Sequence, residues 1–182
     1  MKTAYVLFFF LAFFFLAPQI FATSNVAEAA QEMSPTPTPQ VNYELPYPGL
    51  LPNNPLYFLK VIRDQIVGFL ISDPLKKGEF DLLQADKRVN GALYLFNKYP
   101  KKSAKISQLV DSTVSKAENY LGLAIEMVSV AKKQGRDTAD LLRRLKESVK
   151  KHQEVLQKLH LSFEAQRAKS FEKEVELLNH QN

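Results

Sequence analysis

The side chains most able to do chemistry in this chain of 182 residues are three histidines. His152 and His160 lie eight positions apart. On one predicted helix they therefore stand about 12 Å apart, too far to share a metal ion. His160 and Glu164, four positions apart, could form half of a metal site, but the Glu-x-x-His pair of di-iron helical bundles does not occur in the sequence. We predict no metal site.

His152 falls within an apolar seam that runs from Leu142 to Phe163 at steps of three and four positions. One interpretation is a hydrogen-bonded packing residue. Another is a pH-sensitive seam position, because protonating an imidazole among apolar side chains costs stability. A third hypothesis is a sensor that responds to pH or to a metal through His152 or His160.

Common catalytic motifs are missing from the sequence. No serine lies in a nucleophile elbow, and there is no glycine-rich phosphate loop, Walker lysine or dinucleotide fingerprint. The absence of cysteine excludes thiol catalysis, cysteine-ligated zinc and iron–sulfur clusters. Glu79 and Asp86 lie on one helix face with lysines nearby, which indicates ion pairs at the border of the core. We predict that the protein is not an enzyme and has no catalytic residues or cofactor.

Basic residues give the chain a net charge of +5 and form several groups. Glu147 and Glu154 interrupt the largest group, so it lacks the continuous basic stripe that nucleic-acid binding needs. Most of these charges are expected to form a solvated helix face. The alternative is weak attachment to anionic lipid or cell-wall polymer. This candidate anionic-ligand face consists of Arg143, Arg144, Lys150 and Lys151.

The N-terminus predicts export from the cell. Lys2 precedes 14 consecutive apolar residues, Ala4–Ala17, and Pro18 ends the run. That length is typical of the hydrophobic region of a signal peptide and falls short of the ~20 residues that span a bilayer. We predict a cleaved signal peptide over residues 1–22, with an uncleaved membrane anchor as the alternative. The protein is then extracellular or part of the cell envelope.

Residues 23–45 are predicted to form a disordered Pro/Thr-rich spacer. Serine or threonine alternates with proline over residues 34–39, a pattern that favours extended polyproline II structure. Such a spacer would hold the domain away from a membrane or wall. The apolar residues of 43–52 predict that this part is a strap lying against the helices.

Apolar periodicity after the spacer predicts four helices, and no segment alternates over the length of a strand. Asp73 and Pro74 are an N-cap and first-turn pair, while Gly135 is a typical helix terminator. The first helix is predicted to begin at Asn53 or Asn54 and to carry a broad apolar stripe. The predicted ranges are about 54–71, 74–97, 102–134 and 138–178.

These helices predict an all-α fold, a four-helix bundle-like domain over residues 46–165. The third and fourth helices are expected to form a long antiparallel hairpin, with the two shorter helices packed along it. The apolar spacing slips after Phe163. Residues 166–182 are therefore predicted to be a projecting helical extension.

Two sequence blocks at the first two predicted helix starts resemble a known family. They are Leu51–Lys60 (LPNNPLYFLK) and Asp73–Phe80 (DPLKKGEF), and the second continues with Leu83–Arg88 (LQADKR). In order and spacing they resemble the bacterial family called domain of unknown function 5667, over about residues 46–160. The resemblance implies bacterial origin and an exported helical domain. The family has no agreed activity, so the resemblance assigns no functional residue.

Together these patterns predict an exported, non-enzymatic bacterial envelope protein. Its helical domain would be a structural or interaction module that binds a protein partner or a second copy of itself, with a membrane tether if the N-terminal segment is retained. The alternative is a surface-ligand module that binds anionic lipid or wall polymer through basic helix faces. Nucleic acid is not an expected partner.

Overall fold

The computed structural model describes residues 42–99 and 103–180, apart from the side chains of residues 162–166. The helices in this part of the chain are α1 (Tyr57–Leu70), α2 (Pro74–Lys98), α3 (Ala104–Lys133), α4 (Ala139–Lys158) and α5 (Ser162–His180). No strand occurs among the described residues, which confirms the predicted all-α class. The predicted signal peptide and residues 23–41 of the predicted spacer lie outside them.

Helix starts follow the capping signals in part. The Asp73 carboxylate accepts a hydrogen bond from the Lys76 amide at 3.0 Å, and Pro74 occupies the first turn of α2, as predicted. Asn54 instead caps a turn before α1, because its side chain accepts from the Leu56 amide at 2.9 Å. Helix α1 therefore begins later than the sequence indicated.

The long antiparallel hairpin of the fold is formed by α2 and α3. Gly78, near the start of α2, lies against the carbonyl of Ala124, near the end of α3, where a Cβ atom would come within 3.4 Å of that oxygen. A Cβ atom would also lie 3.1 Å from the side chain of Leu141 in α4. The expected hairpin of the third and fourth helices is wrong, because α4 packs chiefly against α2 and α5.

A tight turn at residues 159–161 breaks the last predicted helix into two. His160 adopts a positive φ of 58° and its amide donates to the Gln157 carbonyl, while the Leu161 amide donates to the Leu156 carbonyl, both at 3.1 Å. These two bonds define a Schellman motif. Because a histidine stands where glycine is usual, no stop signal marks this turn in the sequence.

Helix α5 returns along the domain, so the projecting extension predicted for residues 166–182 is wrong. Ala168 and Val175 are buried in the core. The side-chain amide of Gln153 donates to the Ala168 backbone carbonyl at 3.3 Å, and the Arg167 guanidinium donates to the Asn119 side chain of α3 at 2.9 Å. The turn at His160 makes this return possible. The apolar residues of α5, which do not continue the spacing found before Phe163, face α3 and α4.

We expect His160→Gly to raise the free energy of unfolding by about 1 kcal/mol, because a left-handed conformation is strained for any residue with a Cβ atom. Gly135, at φ 70° in the matching position after α3, is the control. Gly135→Ala should lower the free energy of unfolding by a similar amount. Urea denaturation measures both changes, and a destabilised His160→Gly variant would contradict this account of the turn.

The core consists of two apolar clusters stacked along the helices. Leu121, Ile125 and Leu145 lie in the first, and Leu95, Val114 and Leu156 lie in the second. The boundary between the clusters falls near the middle of α2, α3 and α4. Polar side chains occupy this boundary.

Candidate functional site

A buried polar layer crosses the domain between the two apolar clusters. The His152 ring of α4 lies between two carboxylates, with Nε2 at 3.0 Å from Asp86 Oδ1 of α2 and Nδ1 at 3.2 Å from Glu118 Oε1 of α3. All three side chains are almost wholly buried. The seam histidine is therefore hydrogen-bonded on both sides, and its surroundings are ionic where the sequence predicted an apolar seam.

Two hydroxyl groups complete the layer around Asp86. Ser148 Oγ donates to Asp86 Oδ1 at 2.5 Å, and the Tyr43 hydroxyl donates to Asp86 Oδ2 at 2.6 Å. Burial, and then the charge of Asp86, raise the pKa of Tyr43 above its ordinary value. Because Tyr43 belongs to the segment before α1, the layer ties the predicted strap to the helices. The Asn90 side chain ties it again, by donating to the Pro46 carbonyl at 2.9 Å.

The surroundings of His152 favour the charged form of its ring. Burial opposes its protonation, but the hydrogen bonds and negative charges of Asp86 and Glu118 outweigh burial and raise the pKa of His152 to about 9. One interpretation of the sequence was that protonating His152 would cost stability. Protonation is instead expected to stabilise the fold. Both ring nitrogens of His152 face carboxylates, and the charged ring is the form that can donate to both.

The other histidine of interest does not build a metal site in the described part of the chain. His160 lies in the turn after α4 and Glu164 lies in α5, so they do not follow one another along a single helix. Within residues 42–99 and 103–180, no group of three or more histidine and acidic side chains is placed to hold a metal ion.

The predicted anionic-ligand face lies on α4, and acidic residues neutralise much of it. Arg143 pairs with Asp140 at 2.8 Å, and Arg144 pairs with Glu79 of α2 at the same distance. Further pairs join Arg143 to Glu147, Arg144 to Asp140 and Lys151 to Glu154, while Lys150 lies half-buried on the same helix.

Helix α1 exposes its apolar side and buries a charged residue, the reverse of an ordinary surface helix. Asp64 is its only buried residue, whereas its large apolar side chains face outward. Phe69 is 88% exposed and Leu70 is 71% exposed. The stripe that the periodicity predicted does exist, but it points away from the core. We call this surface the α1 apolar face; it consists of Phe58, Leu59, Ile62, Ile66, Val67, Phe69 and Leu70.

An ionic cluster holds the inner side of α1 against α2. The Asp64 carboxylate accepts from Arg63 at 2.7 Å and lies 4.0 Å from the buried guanidinium of Arg88. Arg88 also donates to the Gln84 side chain at 2.7 Å and stacks over the Tyr120 ring of α3 at 4.2 Å. Charge pairing, with little apolar packing, therefore places α1.

A groove of about 430 Å³ separates α1 from the strap and carries positive charge. Lys60, Arg63 and Lys87 line it together with apolar side chains that include Leu50 and Leu59. Burial, and then the neighbouring Arg88, lower the pKa of Lys60 from its usual value. A group of three cations thus lies beside the α1 apolar face, separate from the α4 face that the sequence suggested.

Asp64→Ala should release α1 while α2, α3 and α4 remain folded. The substitution removes the α1 carboxylate that offsets the positive charge of the buried Arg88 side chain of α2. Amide hydrogen exchange within α1 should become about 10- to 100-fold faster, with protection elsewhere unchanged. Gln65→Ala, at an exposed position of the same helix, is the matched control and should leave α1 protected. Equal protection of α1 in both variants would refute the role of Asp64.

Asp86, which was predicted to lie at the border of the core, and Glu118, which was not singled out in the sequence, both carry a recognisable signal of burial. Asp86 stands four positions after Leu82 and three before Val89, and Glu118 stands three positions before Leu121, so each acid occupies a core-facing position of its stripe. An acid at such a position indicates a buried partner. No such signal was drawn from the sequence for Tyr43, Asp64 or Arg88.

The fold and these sites define an all-helical domain with a sealed polar interior and an exposed apolar helix. A family model described as a domain of unknown function (DUF5667) matches residues 49–177, well over half of the chain, and the chain belongs to that family. The match confirms the resemblance and continues into α5, beyond the part that the sequence blocks covered. No curated protein and no solved structure matches the chain. Among the described helices, none is long and apolar enough to cross a membrane.

Proposed function

We propose that the protein is an exported, non-enzymatic component of a bacterial cell envelope, whose helical domain docks onto another surface through α1. The α1 apolar face carries this proposal. Burying a large apolar side chain is worth about 1.5–3 kcal/mol, so seven such side chains held outward constitute a large unused driving force. Exposed apolar patches of this kind typically mark an interaction surface.

The rest of the domain suits a scaffold. In the proposal, α2, α3, α4 and α5 form the bundle-like body and α1 lies at its side. Three titratable groups that could serve catalysis are buried away from solvent and hydrogen-bond through His152: they are His152, Asp86 and Glu118. Such groups stabilise and position helices, which supports a role without chemistry.

Export and envelope location rest on the sequence. The predicted signal over residues 1–22 and the proline-rich spacer would place the domain outside the cell, either released or tethered. A tethered domain would have its docking surface within reach of the membrane. A protein partner or a second copy would be met in the same compartment.

The alternative, binding of anionic lipid or wall polymer through the basic face of α4, has less support. Arg143 and Arg144 are occupied by Asp140, Glu147 and Glu79. An anionic ligand would have to displace these carboxylates. In the groove beside α1, Arg63 also bonds to a carboxylate, but that acid, Asp64, is buried, whereas Asp140 and Glu147 are exposed on the α4 face. The groove therefore offers the better site for the same kind of ligand.

Cysteine accessibility tests the docking proposal directly, because the chain has no cysteine of its own. The full-length variant Ile66→Cys places a thiol in the α1 apolar face. Leu177→Cys places one at an exposed leucine of α5 and is the matched control. Each variant is labelled with a bulky maleimide, once as purified protein and once in the intact envelope fraction of the host cell.

Both cysteines should react at similar rates in the purified protein. In the envelope fraction, Ile66→Cys should react at least tenfold more slowly while Leu177→Cys is unchanged. Equal labelling of the two positions in the envelope would mean that α1 is not covered, and the proposal would fail. Recovery of the protein only from the cytoplasm would defeat its export component.

A further inference from the structure

We infer that the surface which α1 meets is an anionic phospholipid bilayer, with the α1 apolar face entering the outer part of the membrane. This inference rests on the proposed docking function and names its partner. It is carried by the inverted orientation of α1 together with the position of the cations that border it.

The shape of α1 suits the plane of a membrane interface. Its 14 residues make a helix about 21 Å long. Phe58, Ile62, Ile66 and Phe69 recur along one side, and all are exposed. Interfacial helices bury such a side by about 5–10 Å at the boundary between headgroups and acyl chains. Phenylalanine, leucine and isoleucine are the side chains that gain most from this transfer.

The charges around α1 complement an anionic surface. Asp64 is the only acid of α1, and it is buried on the inner side. Arg63 is 65% exposed, while Lys60 and Lys87 line the groove between α1 and the strap. Lys60 is largely buried beside Asp64, so lipid phosphates would meet Arg63 and Lys87 at the edge of the apolar face. Each lysine or arginine near an anionic membrane contributes roughly 1 kcal/mol of binding.

A second copy of the chain is a poorer occupant of this face. Stable protein interfaces bury about 800 Å² and about 20–30 residues on each partner, whereas the α1 apolar face offers seven side chains. A membrane does not have this limitation, because its surface is extended and negatively charged.

The path of the chain agrees with a membrane partner. The strap enters the domain beside α1, where Tyr47 and Leu50 line the same groove as Leu59. Tyr47 is exposed there and has the amphipathic ring that is enriched at membrane interfaces. The spacer and the predicted apolar N-terminal run precede this strap in the sequence.

Position-specific fluorescence tests the inference on the full-length protein. The variants Ile66→Cys and Leu177→Cys are labelled with a polarity-sensitive fluorophore. They are mixed with vesicles of phosphatidylcholine containing 30 mol% phosphatidylglycerol, or with vesicles of phosphatidylcholine alone. Brominated lipids serve as quenchers within the acyl region. Each probe reports its own surroundings, so insertion of the N-terminal apolar run cannot by itself produce the signal at Ile66.

The Ile66→Cys probe should shift to the blue and be quenched with the anionic vesicles, and the Leu177→Cys probe should not respond. Adding Arg63→Gln and Lys87→Gln should weaken vesicle binding at the Ile66→Cys probe by roughly 10- to 30-fold. Raising the salt concentration should weaken it as well. Neutralising Arg143 and Lys150 on α4 by the same Gln substitutions is the matched control and should leave binding unchanged.

Several results would overturn the inference. A blue-shifted Ile66→Cys probe without vesicles would mean that α1 is already covered, by a second copy if the shift depends on protein concentration and by the chain's own N-terminal run if it does not. Equal binding to both kinds of vesicle would remove the anionic partner. No response to any vesicle, together with protection of Ile66→Cys in the envelope, would defeat the bilayer inference and leave the docking function standing.

Discussion

Replacing His152 by leucine should lower the free energy of unfolding by about 3–5 kcal/mol, the cost of breaking a buried ion pair by removing one partner. The variant leaves Asp86 and Glu118 buried without the cation that bonds to both. Glu118 already has one carboxylate oxygen without a hydrogen-bond partner, so it has no second interaction to compensate the loss. Urea denaturation followed by circular dichroism measures the effect.

A combined variant separates the charge effect from the change in packing. His152→Leu together with Asp86→Asn and Glu118→Gln removes the ion pairs as a set and keeps side chains of similar size. Asn at position 86 can accept from one of the Tyr43 and Ser148 hydroxyls and donate to the other. This variant should recover a large part of the lost stability, because neutral groups cost less to bury than unpaired carboxylates. If it is as unstable as His152→Leu alone, volume and not charge explains the loss.

Stability should also fall as the pH rises from 6.5 to about 9. The folded-state pKa of His152 is about 9, above the ordinary value of 6.5. Its contribution to folding is therefore fully present below pH 6.5 and is lost as the pH approaches the folded-state value. The expected decrease is roughly 1.4 kcal/mol for each pH unit within this window. Urea denaturation between pH 6 and pH 9.5 measures it.

The combined variant is the control for the pH experiment, since it has no ionisable group in the layer apart from Tyr43. Its stability should change little over the same window. The raised pKa of Tyr43 acts in the same direction but only above its ordinary value of 10, beyond the range measured. A wild-type stability that stays constant between pH 6.5 and pH 9 would contradict the protonated state of His152.

The parts of the fold that depend on neighbouring residues could be predicted from the sequence. Asp73 with Pro74 starts α2, and Gly135 closes α3, because caps and terminators act through hydrogen bonds within a few residues. The break at His160 could not be predicted in this way. Its left-handed conformation is strained for histidine, and contacts of α5 with α3 and α4 hold it in place.

The candidate sites depend on contacts that a local pattern cannot reveal. Periodicity predicts that α1 has an apolar side, but not that this side faces outward. On the inner side of α1, Asp64 lies 4.0 Å from Arg88, which is 24 positions away in the sequence. The partners of His152 are 34 and 66 positions away. The core-facing positions of Asp86 and Glu118 can be recognised in the sequence. The residues that these two acids contact cannot.

The position of the polar layer has a consequence for how the helices can align lengthwise. If α4 slid by one turn, about 5.4 Å, His152 would leave both carboxylates and enter one of the apolar clusters. Each slipped arrangement would bury three unpaired ionisable groups, whereas an entirely apolar core would tolerate such shifts. We therefore expect the layer to select a single longitudinal register of α2, α3 and α4, and with it a fixed platform for α1.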